Sequence, residues 1–92
     1  MQFEWDENKN RINEKKHGID FSLAARVFFD NNRIEEYDEE HSTYEDRYIS
    51  LGLVDDVLVV VHTDRGEAVR IISARQANER ERRKYYEQFG TF

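Results

Sequence analysis

Arg65, Arg70 and Arg75 recur every five residues, and Arg80, Arg82, Arg83 and Lys84 follow directly. Guanidinium groups stay charged and grip phosphate oxygens in pairs. Such a row suits an RNA backbone or a phosphorane-like transition state. Arg70 is the strongest single candidate, because it interrupts the apolar, β-branched run Val69 to Ile72. The competing explanation is a charge placed on an edge strand to discourage aggregation. Tyr48, Tyr85 and Tyr86 are candidates for stacking on unpaired bases. The later charges have a plainer account: Arg75 and Glu79, and Glu79 and Arg83, stand four apart and suit pairing on a solvated helix face.

The three histidines are scattered. His17 precedes Gly18 at the end of a helical pattern, where a basic group complements the helix dipole. His62 ends a core-facing row and reads as packed, and His41 lies in an acidic loop and reads as solvated. None has a metal-ligand partner at helical spacing and the chain has no cysteine, so no metal site is expected. The acidic run Glu35 to Glu40 lacks the alternating ligands and glycine of a calcium loop. Nucleophilic triads and glycine-rich phosphate loops are missing, and no cofactor is expected.

These groups need a scaffold. Phe3-Glu4-Trp5 reads as a short strand, and Asp6 as the cap of a helix over about 7–17 with Ile12 on its inner face and Gly18 as its stop. Asp20 caps a second helix, about 21–29, with Phe21, Ala24, Ala25 and Phe28 as its apolar stripe. Arg33–Asp38 is a weak strand and Glu39–Asp46 a polar loop. Arg47–Leu53, Val57–Thr63 and Ala68–Ala74 are better strands, joined through Asp55-Asp56 and Arg65-Gly66. Asn78 to Glu81 opens a final helix of about 79–88. With two-residue turns, Leu53 faces Leu58, Leu51 faces Val60, Ile49 faces His62 and His62 faces Val69. Ile49, Leu51, Leu53, Leu58, Val60, Val69 and Ile71 then share the core face. Tyr48, Ser50, Gly52, Val59, Val61, Arg70 and Ile72 share a mixed face that suits a ligand or a protein.

Ninety-two residues predict a single domain, over 1–92, with a thin core. The net charge of −6 and 37% charged residues would suit disorder, but six Phe, five Tyr and one Trp can build a core. The charge is uneven. Residues 1–46 carry six Lys/Arg against thirteen Asp/Glu (−7), whereas Arg65 to Lys84 carries seven against three (+4). The absence of cysteine, of a basic-then-apolar leader and of any apolar run near membrane-span length predicts a cytoplasmic protein without membrane contact.

The residues also form a recognisable series. Phe3-Glu4-Trp5-Asp6, Lys9, Asn13, Lys16-His17-Gly18 and Phe21 come first, then Arg47-Tyr48-Ile49 with Gly52. Arg70-Ile71-Ile72-Ser73-Ala74-Arg75, Ala77, Glu81-Arg82 and Tyr85-Tyr86 follow. Nearly the whole chain thus resembles the BrnT family of type II toxins. The resemblance implies an α+β, RelE-like fold: a small curved antiparallel sheet packed on two amino-terminal helices, with a carboxy-terminal helix. It implies an endoribonuclease that cleaves RNA, inhibits translation and is neutralised by a cognate BrnA-type antitoxin; metal-independent transesterification, in which the 2′-hydroxyl attacks the adjacent phosphate, is the expected chemistry. That ribbon-helix-helix protein would also carry any contact with operator DNA. The family's basic positions fall on Lys16, His17, Arg47, Arg65, Arg70 and Arg75. Arg70 with Arg65 or Arg75 would stabilise phosphorane charge and His17 would carry a proton, with His62 as fallback. Lys16, Arg47, Tyr48 and Tyr86 would bind RNA. A catalytically silent domain that binds antitoxin or RNA is the alternative.

Overall fold

The computed structural model describes residues 1–90. In chain order they form β1 (Gln2–Glu4), α1 (Glu7–His17), α2 (Phe21–Ala25), β2 (Ile34–Tyr37), β3 (Tyr48–Val54), β4 (Asp56–Arg65), β5 (Ala68–Gln76) and α3 (Glu79–Glu87). The second expected helix is in two parts, because α2 passes into a 3₁₀ segment, Arg26–Phe29. Strand order is β1-β5-β4-β3-β2. Strands β2 to β5 run as an antiparallel meander, while β1 adds to β5 in parallel. The sheet is therefore mixed: four strands pair antiparallel as expected, and the parallel β1 is added at one edge. The α+β class and the arrangement of helices are compatible with a RelE-like fold. Among the described residues, no helix is long and apolar enough to cross a membrane.

The helix ends follow the local chemistry of the sequence. Asp6 accepts the Lys9 N–H at 3.1 Å, Asp20 accepts that of Leu23 at 2.8 Å, and Asn78 and Glu81 form a reciprocal capping box. Gly18 ends α1 with φ 74° and returns its N–H to Glu14 O at 2.7 Å.

The inner residue of α1 is Asn13 and not Ile12, which is 59% exposed. The cause is β1, which pairs only with residues 68–70 of β5 and leaves the outer edge beyond without a strand. The Asn13 amide takes that place. Its Nδ2 donates to Ala74 O (2.8 Å) and Ile19 O (2.9 Å), and its Oδ1 accepts the Ala74 N–H (3.1 Å). An isoleucine there would leave those backbone groups buried and unpaired.

The β3–β4 hairpin also departs from expectation. Val54 pairs with Asp56, so Asp55 alone reverses the chain, with φ 63°. Leu53 opposes Val57, Leu51 opposes Val59 and Tyr48 opposes His62. A slip of one residue exchanges the two faces of a strand. Val54 thus joins Leu58, Val60 and Ile71 beneath α2, while Leu51 joins Val57, Val59 and Tyr85 of α3, with Ile49 packed against them. The face expected to be mixed is therefore a second, smaller core. Gly52 lies under the 3₁₀ segment, where a Cβ would come within 2.5 Å of Val27 Cγ1. At the next hairpin Arg65 pairs with Ala68, so Gly66 (φ 61°) and Glu67 form the turn, and His62 meets Ile71 instead of Val69.

Candidate active site

One irregularity in β5 decides where the arginines point. Val61 pairs with Ser73, yet the next residue, His62, pairs with Ile71. Ile72 is left over as a β-bulge. Side chains alternate along a strand, so residues 70 and 75 would ordinarily face opposite ways. The extra residue turns both onto the α3 side of the sheet. Arg65 shares that face through its place in β4, and Arg47 through its alternation with Ile49 and Leu51.

A shared face does not make a shared pocket. Arg75 and Arg47 line one cleft of about 400 Å³, with Asp38, His41, Ser73 and Glu81 also in its wall. Arg65 and Arg70 are not among its lining residues. Arg70 Nη1 donates to Glu4 Oε2 at 2.8 Å, because β1 sets Glu4 beside it. Arg65 Nη2 is 3.4 Å from Glu45 Oε2, and the other Glu45 oxygen is 3.7 Å from Arg47 Nη2. Glu45 thus links Arg65 to Arg47.

Arg75 and Glu81 are paired twice, Nη1 to Oε1 and Nη2 to Oε2, each at 2.8 Å. The pairing expected between Arg75 and Glu79 does not form, since Arg75 stands on a strand and helical spacing does not apply. Glu79 instead takes Arg83 at 3.3 Å. Other helix charges reach the sheet: Lys84 contacts Glu36 of β2, and Arg82 contacts Asp56 of β4. The Arg75 hydrogen bonds hold the Glu81 carboxyl below its ordinary range despite burial, and Glu81 holds Arg75 further up. Both stay charged, facing the cleft as a preset ion pair.

The opposite wall is the loop between β2 and β3. The Asp38 N–H donates to Arg47 O at 2.8 Å, the Arg47 N–H to Ser42 Oγ at 2.9 Å, and Ser42 Oγ to Asp38 O at 2.5 Å. Thr63 Oγ donates to Asp46 O, and Tyr37 OH to Asp46 Oδ1. This acidic loop is thus tied down at both ends. On it His41 Nδ1 lies 2.9 Å from Asp38 Oδ2, with the His41 ring 60% exposed and the Asp38 carboxylate nearly buried. The reading of His41 as merely solvated overlooked this partner. The signal was present as Asp-x-x-His in a loop closed by Arg47.

Lys16 and His17 line a smaller hollow with Lys9 and Asn13. Ile72 and Ser73 line this hollow and the arginine cleft alike, so the bulge is a wall common to both. Four expected site residues, Lys16, His17, Arg47 and Arg75, therefore gather on either side of one bulge.

The remaining candidates lie elsewhere. His62 is 2% exposed, stacks edge-on against Phe28 and lies 2.8 Å from Ser50 Oγ through Nε2, while its Nδ1 has no partner. Burial lowers its pKa and keeps the ring neutral, and its position inside the core removes it as fallback proton carrier. Tyr48 stacks on His62, away from the cleft. Tyr85 is buried and donates to Asp30, which also accepts the Leu53 N–H. Burial first, and then Asp30, push its phenol upward, and it has no face free for a base. Tyr86 borders a separate depression with Phe29, Leu53 and Phe89. Among the described residues, no three His, Cys, Asp or Glu side chains converge as metal ligands.

Comparison with known proteins adds the family. No curated protein matches the chain. The model describing the ribonuclease toxin BrnT of type II toxin–antitoxin systems matches residues 5–81, a span that ends on the Glu81 partner of Arg75. With most of its length covered, the chain belongs to the BrnT family of type II toxin–antitoxin ribonuclease toxins.

Proposed function

We propose that the chain is a metal-independent endoribonuclease that cuts RNA by transesterification at the cleft between Arg47 and Arg75. The observation that carries this reading is the bulge at Ile72, with Arg75, Arg47 and Glu81 on one side and Lys16 and His17 on the other. RNA offers regularly spaced phosphates, and two hollows with a common wall, one presenting Arg47 and Arg75 and the other Lys16 and His17, suit two of them. Arg75 is fixed by Glu81 and turns a preset charge on the cleft, where it would stabilise a pentavalent phosphorus. Arg47 lines the same cleft and would bind the same phosphate. Arg65 and Arg70, each held by a carboxylate on that face, would contribute field more than contact. Lys16 and His17 would hold the flanking phosphate.

In the cell the activity would stop translation by destroying message, and a ribbon-helix-helix antitoxin of the BrnA type would neutralise it. Operator DNA would be touched only through that antitoxin. The net charge of −6 supports delivery by local contacts over long-range steering. One observation favours the silent-domain alternative: Arg65, Arg70 and Arg75 are all already paired with carboxylates.

Incubation of the purified chain with RNA in excess chelator separates the readings. Cleavage leaving 2′,3′-cyclic phosphate and 5′-hydroxyl ends is expected, with none at a position carrying a 2′-deoxy sugar. Intact RNA together with tight antitoxin binding would establish the silent domain. Cleavage abolished by chelator would overturn the metal-free chemistry.

A further inference from the structure

We propose that His41, oriented by Asp38, is the general base that activates the RNA 2′-hydroxyl; this deepens the ribonuclease reading and rests on it. The cleft needs a proton acceptor, and apart from His41 and the exposed carboxylate of Glu40, a weaker base than imidazole, its groups are engaged or unsuited. Both oxygens of Glu81 are occupied by Arg75, and Oε1 also takes the Asn78 N–H at 2.9 Å. Arginine does not give up its proton. The Ser73 hydroxyl is no base, and Asp38 is engaged twice, by the His41 ring at 2.9 Å and by the His41 N–H at 3.3 Å.

The geometry of His41 suits the task. A carboxylate only accepts, so its contact with Nδ1 places the ring proton there and leaves the Nε2 lone pair for another partner. The ring lines the same cleft as Arg47 and Arg75 and is 60% exposed, whereas the Asp38 carboxylate behind it is shielded. An accessible imidazole backed by a buried carboxylate on a loop closed by three hydrogen bonds is an arrangement held ready for proton transfer. His62 is sealed in the core, and His17 stands among lysines in the adjoining hollow, where it can meet phosphate.

The step balances without a further reactant. His41 Nε2 takes the 2′-hydroxyl proton as the O2′–P bond forms and the P–O5′ bond breaks. Arg75 and Arg47 receive the charge that gathers on the non-bridging oxygens. The leaving 5′-oxygen takes a proton from water, and His41 returns its own to solvent. The products are a 2′,3′-cyclic phosphate and a 5′-hydroxyl.

The test measures single-turnover cleavage of a short RNA by the full chain and by His41→Ala, His17→Ala and Asp38→Asn, with thermal melts as the check on folding. His41→Ala should lower the rate about 10²-fold or more at nearly unchanged RNA affinity, and added imidazole should restore part of it. Asp38→Asn should cost about tenfold in rate at nearly unchanged RNA affinity, because the ring loses the carboxylate that orients it. The charged groups around the ring are Asp38 and Glu40 of the loop, Arg47 before β3, Arg75 of β5 and Glu81 of α3. A folded His41→Ala protein that cleaves at the wild-type rate overturns the assignment, as does loss of cleavage in His17→Ala alone. Should the wild-type chain leave RNA intact, the ribonuclease reading itself fails and this assignment falls with it.

Discussion

Arg75 on β5 and Glu81 in the first turn of α3 are joined by two parallel hydrogen bonds of 2.8 Å. Glu81 simultaneously completes the helix capping box, so one carboxylate fixes both the start of α3 and the aim of the guanidinium. Arg75→Ala should reduce RNA cleavage by roughly 10²-fold or more, the usual scale for losing one preset charge at a transition state. Arg75→Lys should recover only part, because an ammonium cannot pair twice with a carboxylate. Both partners are partly exposed, so folding stability should change by no more than about 1 kcal/mol. Cleavage kinetics and denaturant titration on the same preparations read the two effects separately.

The same pair has a pH signature. Hydrogen bonding from Arg75 lowers the folded-state pKa of Glu81 from the ordinary 4.5. Such a group adds stability above the unfolded value and loses it as pH falls through the lowered folded one. Wild type should therefore exceed Glu81→Gln in stability at neutral pH, and the gap should close in acid below pH 4.5. Denaturation midpoints from pH 7 to pH 3 measure this. A gap that is constant across that range would contradict the assignment.

Much of the fold was legible in the sequence, and the gaps have physical causes. Caps at Asp6, Asp20 and Asn78 and the stop at Gly18 depend on neighbouring residues alone, and they were readable. Register was not, because a single Asp55 in the left-handed region makes a turn one residue shorter than the usual hairpin, and that reverses the faces of β3. Nothing local in Ile71-Ile72-Ser73 announces a bulge, yet the common face of Arg70 and Arg75 depends on it. Ile12 was taken as the inner residue of α1 for a related reason: Asn13 turns inward to Ala74, 61 residues away on an edge that β1 leaves open. His41 was hidden by composition, since a histidine among acids looks solvated until the loop is closed.

His62 supplies a second pH effect, of different origin. Burial is the main cause of its lowered pKa, against the opposing pull of Glu35 and Asp64. The unfolded chain therefore protonates first, near 6.5. Stability from this site should be complete above that pH and fall as pH drops toward the folded value. His62→Gln can still donate to Ser50 Oγ but does not titrate. It should flatten the stability profile between pH 6.5 and 5 while leaving the acid limb set by Glu81 in place. An unchanged slope in this variant would show that His62 is not the source.

At Gly52 the sheet backbone packs tightly against the 3₁₀ segment. A Cβ there would stand 2.5 Å from Val27 Cγ1 and 3.1 Å from Val27 O. Gly52→Ala should destabilise the fold by about 1–3 kcal/mol, as overpacking of a filled core does. Val27→Ala should also destabilise, through the cavity it leaves. Combined, the two should cost clearly less than their sum, with a coupling of about 1 kcal/mol or more, because the new methyl enters the space that Val27 vacates. The remaining contact with the Val27 carbonyl limits the recovery, so the double variant should stay below wild type. A thermal-denaturation cycle on the four proteins measures the coupling. Strict additivity would mean that the Gly52 constraint comes from the backbone and not from the Val27 side chain.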